Sequence, residues 1–462
     1  MKHLTFQTFC ALCMVMFLFS SCEREIEIPE STPVDEPLQL KSANVRKDFM
    51  VISNTESLTN ELLSRLETYG KVIRTIPEIG VAVVRTINVN FEDEVAKFPE
   101  VKGIVPDLKA KWINEPVMKV EANIGDGDPG LTLQWGLKAI HAREAWNAGY
   151  TGKGVKVFIL DGGIDPNHPD LIPNLNTDLS TSFVSGEDFT DAIDGHGTHV
   201  AGIIAAAEGG GAVIGVAPRA EIVMVKVLSS ATGSGSFSDI NAGIIYAAKK
   251  GADIINMSLG ATLNKNGFFL DENGELQKVP AIYIQYWILA QKRAIDFAMK
   301  RGSLVITSAG NNYMNADGNG SLFVIPADFE NVIAVSATAP RFWYHDINSY
   351  LDYPASYSNT GRSLISLAAP GGDNLFYPQE GWQYDMVLST YLNGSFAWSA
   401  GTSMASPFVA GVAALIVDKY DGKITPKEIT KKLYKTADQI ETNGRSVLYG
   451  HGRVNAFSAV TE

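Results

Sequence analysis

The sequence predicts an α/β architecture, a mostly parallel sheet with helices on both faces, preceded by a small α+β unit. Three observations point there. Apolar strands alternate with longer helical segments from about Leu133 onward. Glycine is enriched, at 42 of 462 residues, without any collagen-like period. The chain is 45 % hydrophobic and 19 % charged, which supplies more than one core and excludes disorder throughout. Lys+Arg 38 against Asp+Glu 51 gives a formal charge of -13, which disfavours the phosphate backbone of a nucleic acid as partner.

All three cysteines, Cys10, Cys13 and Cys22, lie near the N-terminus, so nothing downstream can use a disulfide or a thiolate. Lys2 and His3 precede the apolar run Phe9 to Phe19, which is too short for the roughly 20 residues that span a bilayer and reads as a signal peptide over 1–22. Ser20-Ser21-Cys22 resembles a bacterial lipobox, which implies acylation of Cys22; a plain secretory peptide cleaved nearby is the alternative. Residues 23–47 are acidic and proline-bearing, with six acidic residues and one basic one from Glu23 to Glu36, and read as a tether. The chain is therefore expected to be exported to the cell envelope, with its outer surface as one location, and held there through its lipid alone.

Residues 48–112 carry the order βαββαβ of a ferredoxin-like unit. Strands are expected at Asp48 to Ser53, Lys71 to Ile76, Gly80 to Val84 and Val101 to Val105. Leu58, Leu62, Leu63 and Leu66 at helical spacing give one helix, and Phe91 to Phe98 the other. Residues 113–132, with Pro116, Gly125, Gly127, Pro129 and Gly130, read as a linker open to cleavage.

In residues 133–462, strands are expected at Val155 to Leu160, Glu221 to Leu228, Asp253 to Leu259, Leu304 to Thr307 and Val332 to Val335, with helices between them and another after Thr402. Functional residues of such sheets lie beyond the carboxyl ends of the strands. Asp161 follows the first of these, and Asp165 is a weaker candidate nearby. His196 opens the small-residue segment His-Gly-Thr-His-Val-Ala-Gly, Asn311 follows a strand, and Ser403 stands in Gly-Thr-Ser-Met-Ala-Ser-Pro at a helix start. A nucleophile, a base, an orienting acid and an amide donor are what acyl transfer to water requires. Alone, each has a plainer reading as a turn or cap residue. His196 and His199 could suggest a metal pair, yet zinc helices usually use i and i+4 spacing, so His199 reads as a packed core histidine.

These segments, in the order Asp161, His196, Ser403, resemble the subtilisin-type (subtilase) serine peptidases over about residues 133–460, and Gly450-His-Gly-Arg-Val-Asn-Ala456 is similar to the family's closing segment. Gly162 departs from the Ser or Thr of many relatives. The resemblance implies a serine endopeptidase with Asp161, His196 and Ser403 as its triad and Asn311 in the oxyanion hole. Peptide substrate would lie as a strand between Gly233-Ser234-Gly235 and Ser258-Leu259-Gly260. It implies that residues 48–112 are an inhibitory prodomain, so the enzyme is made as a zymogen and its catalytic domain can be shed. No catalytic cofactor is implied. A structural calcium ion is, with Asp170 as ligand, although the companion loop Glu208 to Val213 has glycine where relatives carry an asparagine. The stretch Gly260 to Ser308 is longer than a compact member needs and reads as a hairpin and a long helix, either a cleft wall or a solvated insertion. A noncatalytic peptide-binding scaffold and a small-molecule esterase are the competing functions.

Overall fold

The computed structural model describes residues 47–113, 118–122, 129–209, 211–441 and 444–462. The signal, the tether and Cys22 lie outside the described residues, as does part of the expected linker.

The N-terminal unit runs β1 (Lys47–Ser53), α1 (Asn60–Leu66), β2 (Lys71–Ile76), β3 (Val81–Thr86), α2 (Phe91–Val95) and β4 (Val101–Pro106). Its antiparallel sheet has the order β2-β3-β1-β4. Alternation along the strands divides its side chains between two cores. Phe49, Val51, Ala82, Val84 and Ile104 pack on the unit's own helices. Met50, Ile52, Val81, Val83 and Val105 join a core built by the rest of the chain. Two short strands follow, β5 (Lys109–Lys111) and β6 (Met118–Ala122), so the expected linker contains a strand.

The larger unit opens with α3 (Trp135–Ala139) and α4 (Ala142–Asn147), then β7 (Lys156–Asp161), β8 (Thr181–Ser182), α5 (His196–Ala205), β9 (Glu221–Lys226), β10 (Ser234–Ser236), α6 (Phe237–Lys249) and β11 (Ile254–Met257). The long insertion supplies β12 (Ala261–Asn264), β13 (Phe268–Leu270), β14 (Leu276–Lys278) and α7 (Ala281–Lys300). After it come β15 (Leu304–Ser308), β16 (Leu322–Ile325), β17 (Val332–Ala339), β18 (Tyr353–Pro354), β19 (Leu367–Pro370), β20 (Val387–Thr390), β21 (Phe396–Ala400), α8 (Thr402–Lys419), α9 (Pro426–Lys435) and α10 (Ala456–Thr461). The central sheet has the order β18-β17-β15-β11-β7-β9-β8, and every pairing from β17 through β8 is parallel.

Alternate residues of β7 again serve opposite faces. Val157 and Ile159 pack with α5 and α8, whereas Phe158 and Leu160 pack with α6 and α7. This is the α/β fold expected from the sequence, with helices on both sides. Every residue of α5 is buried, and its small side chains allow that depth. A Cβ on Gly197 would lie 2.2 Å from the carbonyl oxygen of Gly163, and one on Gly202 would lie 2.2 Å from Thr390 Oγ1. Because the Gly163 contact is backbone, it cannot move aside. Gly197→Ala is therefore expected to lower stability by about 1–3 kcal/mol in denaturant melts, the usual cost of overpacking a close-packed site.

Candidate active site

Asp161 ends β7 with 0 % of its surface exposed, and burying a carboxylate is tolerated only where hydrogen bonds replace water. Its Oδ1 accepts the Gly162 N–H at 2.7 Å, and both oxygens lie 2.9 Å from His196 Nδ1. His196 is the first residue of α5, and Gly195 before it has φ +67 with the Tyr391 ring against its Cα, a position that excludes any side chain. The carboxylate fixes the tautomer, with the proton on Nδ1 and a lone pair at Nε2.

Ser403 is the second residue of α8, where unpaired N–H groups and the positive end of the helix dipole lie. Its Oγ donates to the Ser258 carbonyl at 3.1 Å, while Ser258 Oγ donates back to the Ser403 carbonyl at 2.8 Å. Asn311 lies just past β15. Its Oδ1 accepts from Thr402 N at 2.9 Å and from Thr402 Oγ1 at 2.7 Å, which commits the amide Nδ2 to donate elsewhere. The cleft beside it is lined by Ser403, Asn311, Thr402, Gly260 and Ile113. Asp161, His196, Asn311 and Ser403 thus come to one end of the sheet, beyond the carboxyl ends of β7 and β15.

The cleft holds a strand of the protein's own chain. Residues Lys109–Lys111 pair antiparallel with Ser234–Ser236. Beyond them Trp112 N and Ile113 N both donate to the Gly233 carbonyl at 3.1 Å, and the Trp112 carbonyl accepts from Gly260 N at 2.9 Å. On the other side of Ser403, β6 pairs antiparallel with β21, the strand that leads into the serine. Of the residues expected beside the substrate, Ser258 bonds Ser403 through its carbonyl, and Leu259 and Gly260 line the same cleft as Ser403.

Other candidates fall away from the cleft. The two carboxylate oxygens of Asp165 accept from Asn167 N and Gly394 N, a loop-closing role. His199 Nε2 hydrogen-bonds the Ala397 carbonyl in the core. Asp170 Oδ2 accepts from Ala212 N at 3.3 Å and Val213 N at 3.2 Å, and a Cβ on Gly211 would come within 2.0 Å of Oδ1. Among the described residues no three His, Cys, Asp or Glu side chains form a metal cluster, and Glu208 is exposed. Calcium takes 6–8 oxygens, and among the described residues Asp170 is the one carboxylate here, with one of its oxygens accepting backbone donors of the loop.

Sequence reasoning passed over three residues. Lys226, 0 % exposed and register partner of Asp161, bonds the Gly162 and Asp191 carbonyls and pairs with Glu187 at 2.9 Å; a lysine inside the apolar run Glu221 to Leu228 was its signal. Thr402 orients Asn311. Asp107, from the N-terminal unit, sits at the start of α6, where it accepts from Ser238 N at 3.0 Å and Ser238 Oγ at 2.6 Å. Burial pushes its carboxyl up to about 7; the Ser238 bonds and Arg74 oppose the shift and Asp239 adds to it.

The model of the subtilase family matches residues 152–452. Subtilisin DY of Bacillus licheniformis is 35 % identical over 328 residues, which cover 71 % of this chain and 98 % of the relative. M-protease of Shouchella clausii is 35 % identical over 430 residues, 93 % of this chain and 89 % of the relative. Among solved structures, the epidermin leader peptide processing serine protease of Staphylococcus aureus superposes with a TM-score of 0.72 at 26 % identity, covering 90 % of this chain and 98 % of that one.

The raised carboxyl of Asp107 makes the docking of the two units pH-dependent. Its contribution is complete below the ordinary carboxylate value near 3.9 and is lost as pH rises through about 7. Hydrogen exchange at Ser238, corrected for the intrinsic rate, is expected to lose protection progressively between about pH 4 and pH 7 and to level off above that, and Asp107→Asn to flatten that dependence.

Proposed function

We propose, from the premise that this chain belongs to the subtilase family of serine peptidases, that it is a zymogen whose nucleophile is Ser403, whose base is His196 and whose orienting acid is Asp161. The observation that carries the reading is the His196 Nδ1 bond to buried Asp161 at 2.9 Å, with Ile113 bordering both the pocket that His196 lines and the one that Ser403 lines. The enzyme acts on peptide or protein substrates and needs no cofactor for hydrolysis.

Ser403 Oγ turns from the Ser258 carbonyl toward the cleft and attacks the substrate carbonyl as His196 Nε2 takes its proton. The oxyanion is met by Asn311 Nδ2 and the Ser403 N–H. His196 then protonates the leaving amine. Water repeats the sequence on the acyl-enzyme and frees the serine. Substrate adds as a strand between Gly233-Ser234-Gly235 and Ser258-Leu259-Gly260, the arrangement taken by residues 109–113.

Residues 48–112 act as the intramolecular inhibitor. Two features support this: the strand they lay in the cleft, and the apolar sheet face Met50, Ile52, Val81, Val83 and Val105 that only the larger unit covers. Maturation cuts the linker between residues 113 and 118, since the segments on either side pair with β10 and β21 around Ser403. Export with acylation at Cys22 places the precursor at the envelope, and the cut separates the catalytic domain from the lipid.

The test is intact mass of residues 23–462, wild type beside Ser403→Ala. The wild type is expected to lose its N-terminal segment up to a residue between 113 and 118, while the variant stays whole. Equal processing of both chains overturns the self-cleaving reading. Asn311→Ala is expected to lower kcat about 10²–10³-fold with little change in KM, the loss known for an oxyanion-hole donor in subtilisin itself.

A further inference from the structure

The two ends that the maturation cut creates are held differently. The upstream end, β5 and the residues to Ile113, belongs to the N-terminal unit and leaves with it. The downstream end is β6, which pairs antiparallel with β21 from Met118↔Ala400 to Ala122↔Phe396, along the edge that leads into Ser403. On its other side β21 pairs with β20, so β6 completes a three-stranded sheet of order β20-β21-β6. The chain beyond β6 is bound back to that same sheet. Trp135, thirteen positions on from Ala122, is 1 % exposed, and its indole Nε1–H donates to the Met386 carbonyl at 2.8 Å, immediately before β20 begins. Val387 is the register partner of Ser399, and Ser399 is that of Lys119. Gln134 adds a second tie, its Nε2 donating to the Ile214 carbonyl at 2.8 Å and its Oε1 accepting from Ile214 N at 3.0 Å.

We infer that β6 stays on β21 after the cut, so that the processed enzyme carries its own new N-terminus along the downstream side of the cleft and favours acyl groups on small leaving groups, or peptide bonds near the carboxyl end of a chain, over bonds inside an extended one. The inference rests on the peptidase reading above. In ordinary peptide hydrolysis the amine product diffuses away. Here hydrolysis leaves the new carboxylate on the departing N-terminal unit and the new amine on the catalytic unit, where the anchor at Trp135 keeps β6 beside its partner edge. With so short a tether the effective concentration is on the order of 1 mM, and a strand with an intrinsic Kd of about 0.1 mM holds the edge about nine-tenths of the time. Main-chain bonds supply the affinity of such an added strand. A substrate with several residues after the scissile bond needs the same edge and has to unseat β6 first. One that ends just past that bond does not meet it.

The full chain, allowed to process itself and freed of its cleaved segment, is compared with the double variant Lys119→Pro, Val120→Pro. Neighbouring N–H groups of a strand point to opposite sides, so one of the two prolines removes a bond to β21 while Trp135 and its anchor are untouched. Active enzyme is counted by fluorophosphonate titration. Two substrates share the four residues that mass mapping places before the maturation cut; one ends in p-nitroanilide and the other continues for five more residues. The variant is expected to raise kcat/KM on the longer peptide about tenfold and to leave that on the p-nitroanilide within about twofold. Hydrogen exchange gives a second reading that needs no proline variant and decides alone if that variant fails to process. Amides 119–122 of the processed wild type are expected to keep the protection they have in the uncut Ser403→Ala chain. An unchanged ratio between the two substrates in the variant, or loss of that protection on processing, overturns the inference, while hydrolysis of the p-nitroanilide leaves the peptidase reading standing. Hydrolysis of neither substrate overturns both.

Discussion

A carboxylate withdrawn from water holds the catalytic unit to its geometry. Asp161 is fully buried and is hydrogen-bonded by His196 Nδ1 and the Gly162 N–H, so neither β7 nor the start of α5 can move without stranding it. That requirement explains the small residues around it. Gly195 and Gly197 let α5 enter against Tyr391 and the Gly163 carbonyl, and Lys226 braces the turn from beneath through the Gly162 and Asp191 carbonyls. The cleft's other wall is set by an exchange of bonds between Ser258 and Ser403, which ties β11 to the start of α8.

The N-terminal sheet has the same logic on a larger scale. A two-helix, four-stranded unit can cover one face with its own helices and must find a cover for the other. Here α6 and α7 supply it, and the edges are tied by polar contacts. Arg74 pairs with Asp239, and Arg293 donates to the Ser53 and Ile79 carbonyls at 3.1 Å. Separating the two units would therefore expose apolar surface on both, which favours their staying together. The balance shifts with pH because Asp107 is buried at that same boundary.

Much of this was legible in the sequence. Short apolar runs between turn and helix signals located the strands of both units, and Lys71 to Ile76 matches β2 residue for residue. The chemistry-bearing residues were visible because small-residue segments mark helices that must pack closely, as α5 and α8 do. Other features depended on long-range pairing, which no local pattern encodes. Residues 118–122 lie among glycines and prolines and form a strand only because β21 offers an edge. Trp112 read as the end of a unit because nothing in its neighbours reveals that its carbonyl meets the Gly260 N–H. Asp170 resembled a metal ligand by its segment, and that it also accepts backbone donors of a distant loop could not be read from that segment.

The central claim is that Ser403 is a nucleophile activated by His196. Labelling of the processed chain with a fluorophosphonate, followed by peptide mapping, tests it most directly. The account predicts one modified residue, Ser403, with labelling slowed by orders of magnitude in His196→Ala. Modification at another serine, or undiminished labelling of the His196→Ala chain, would contradict it.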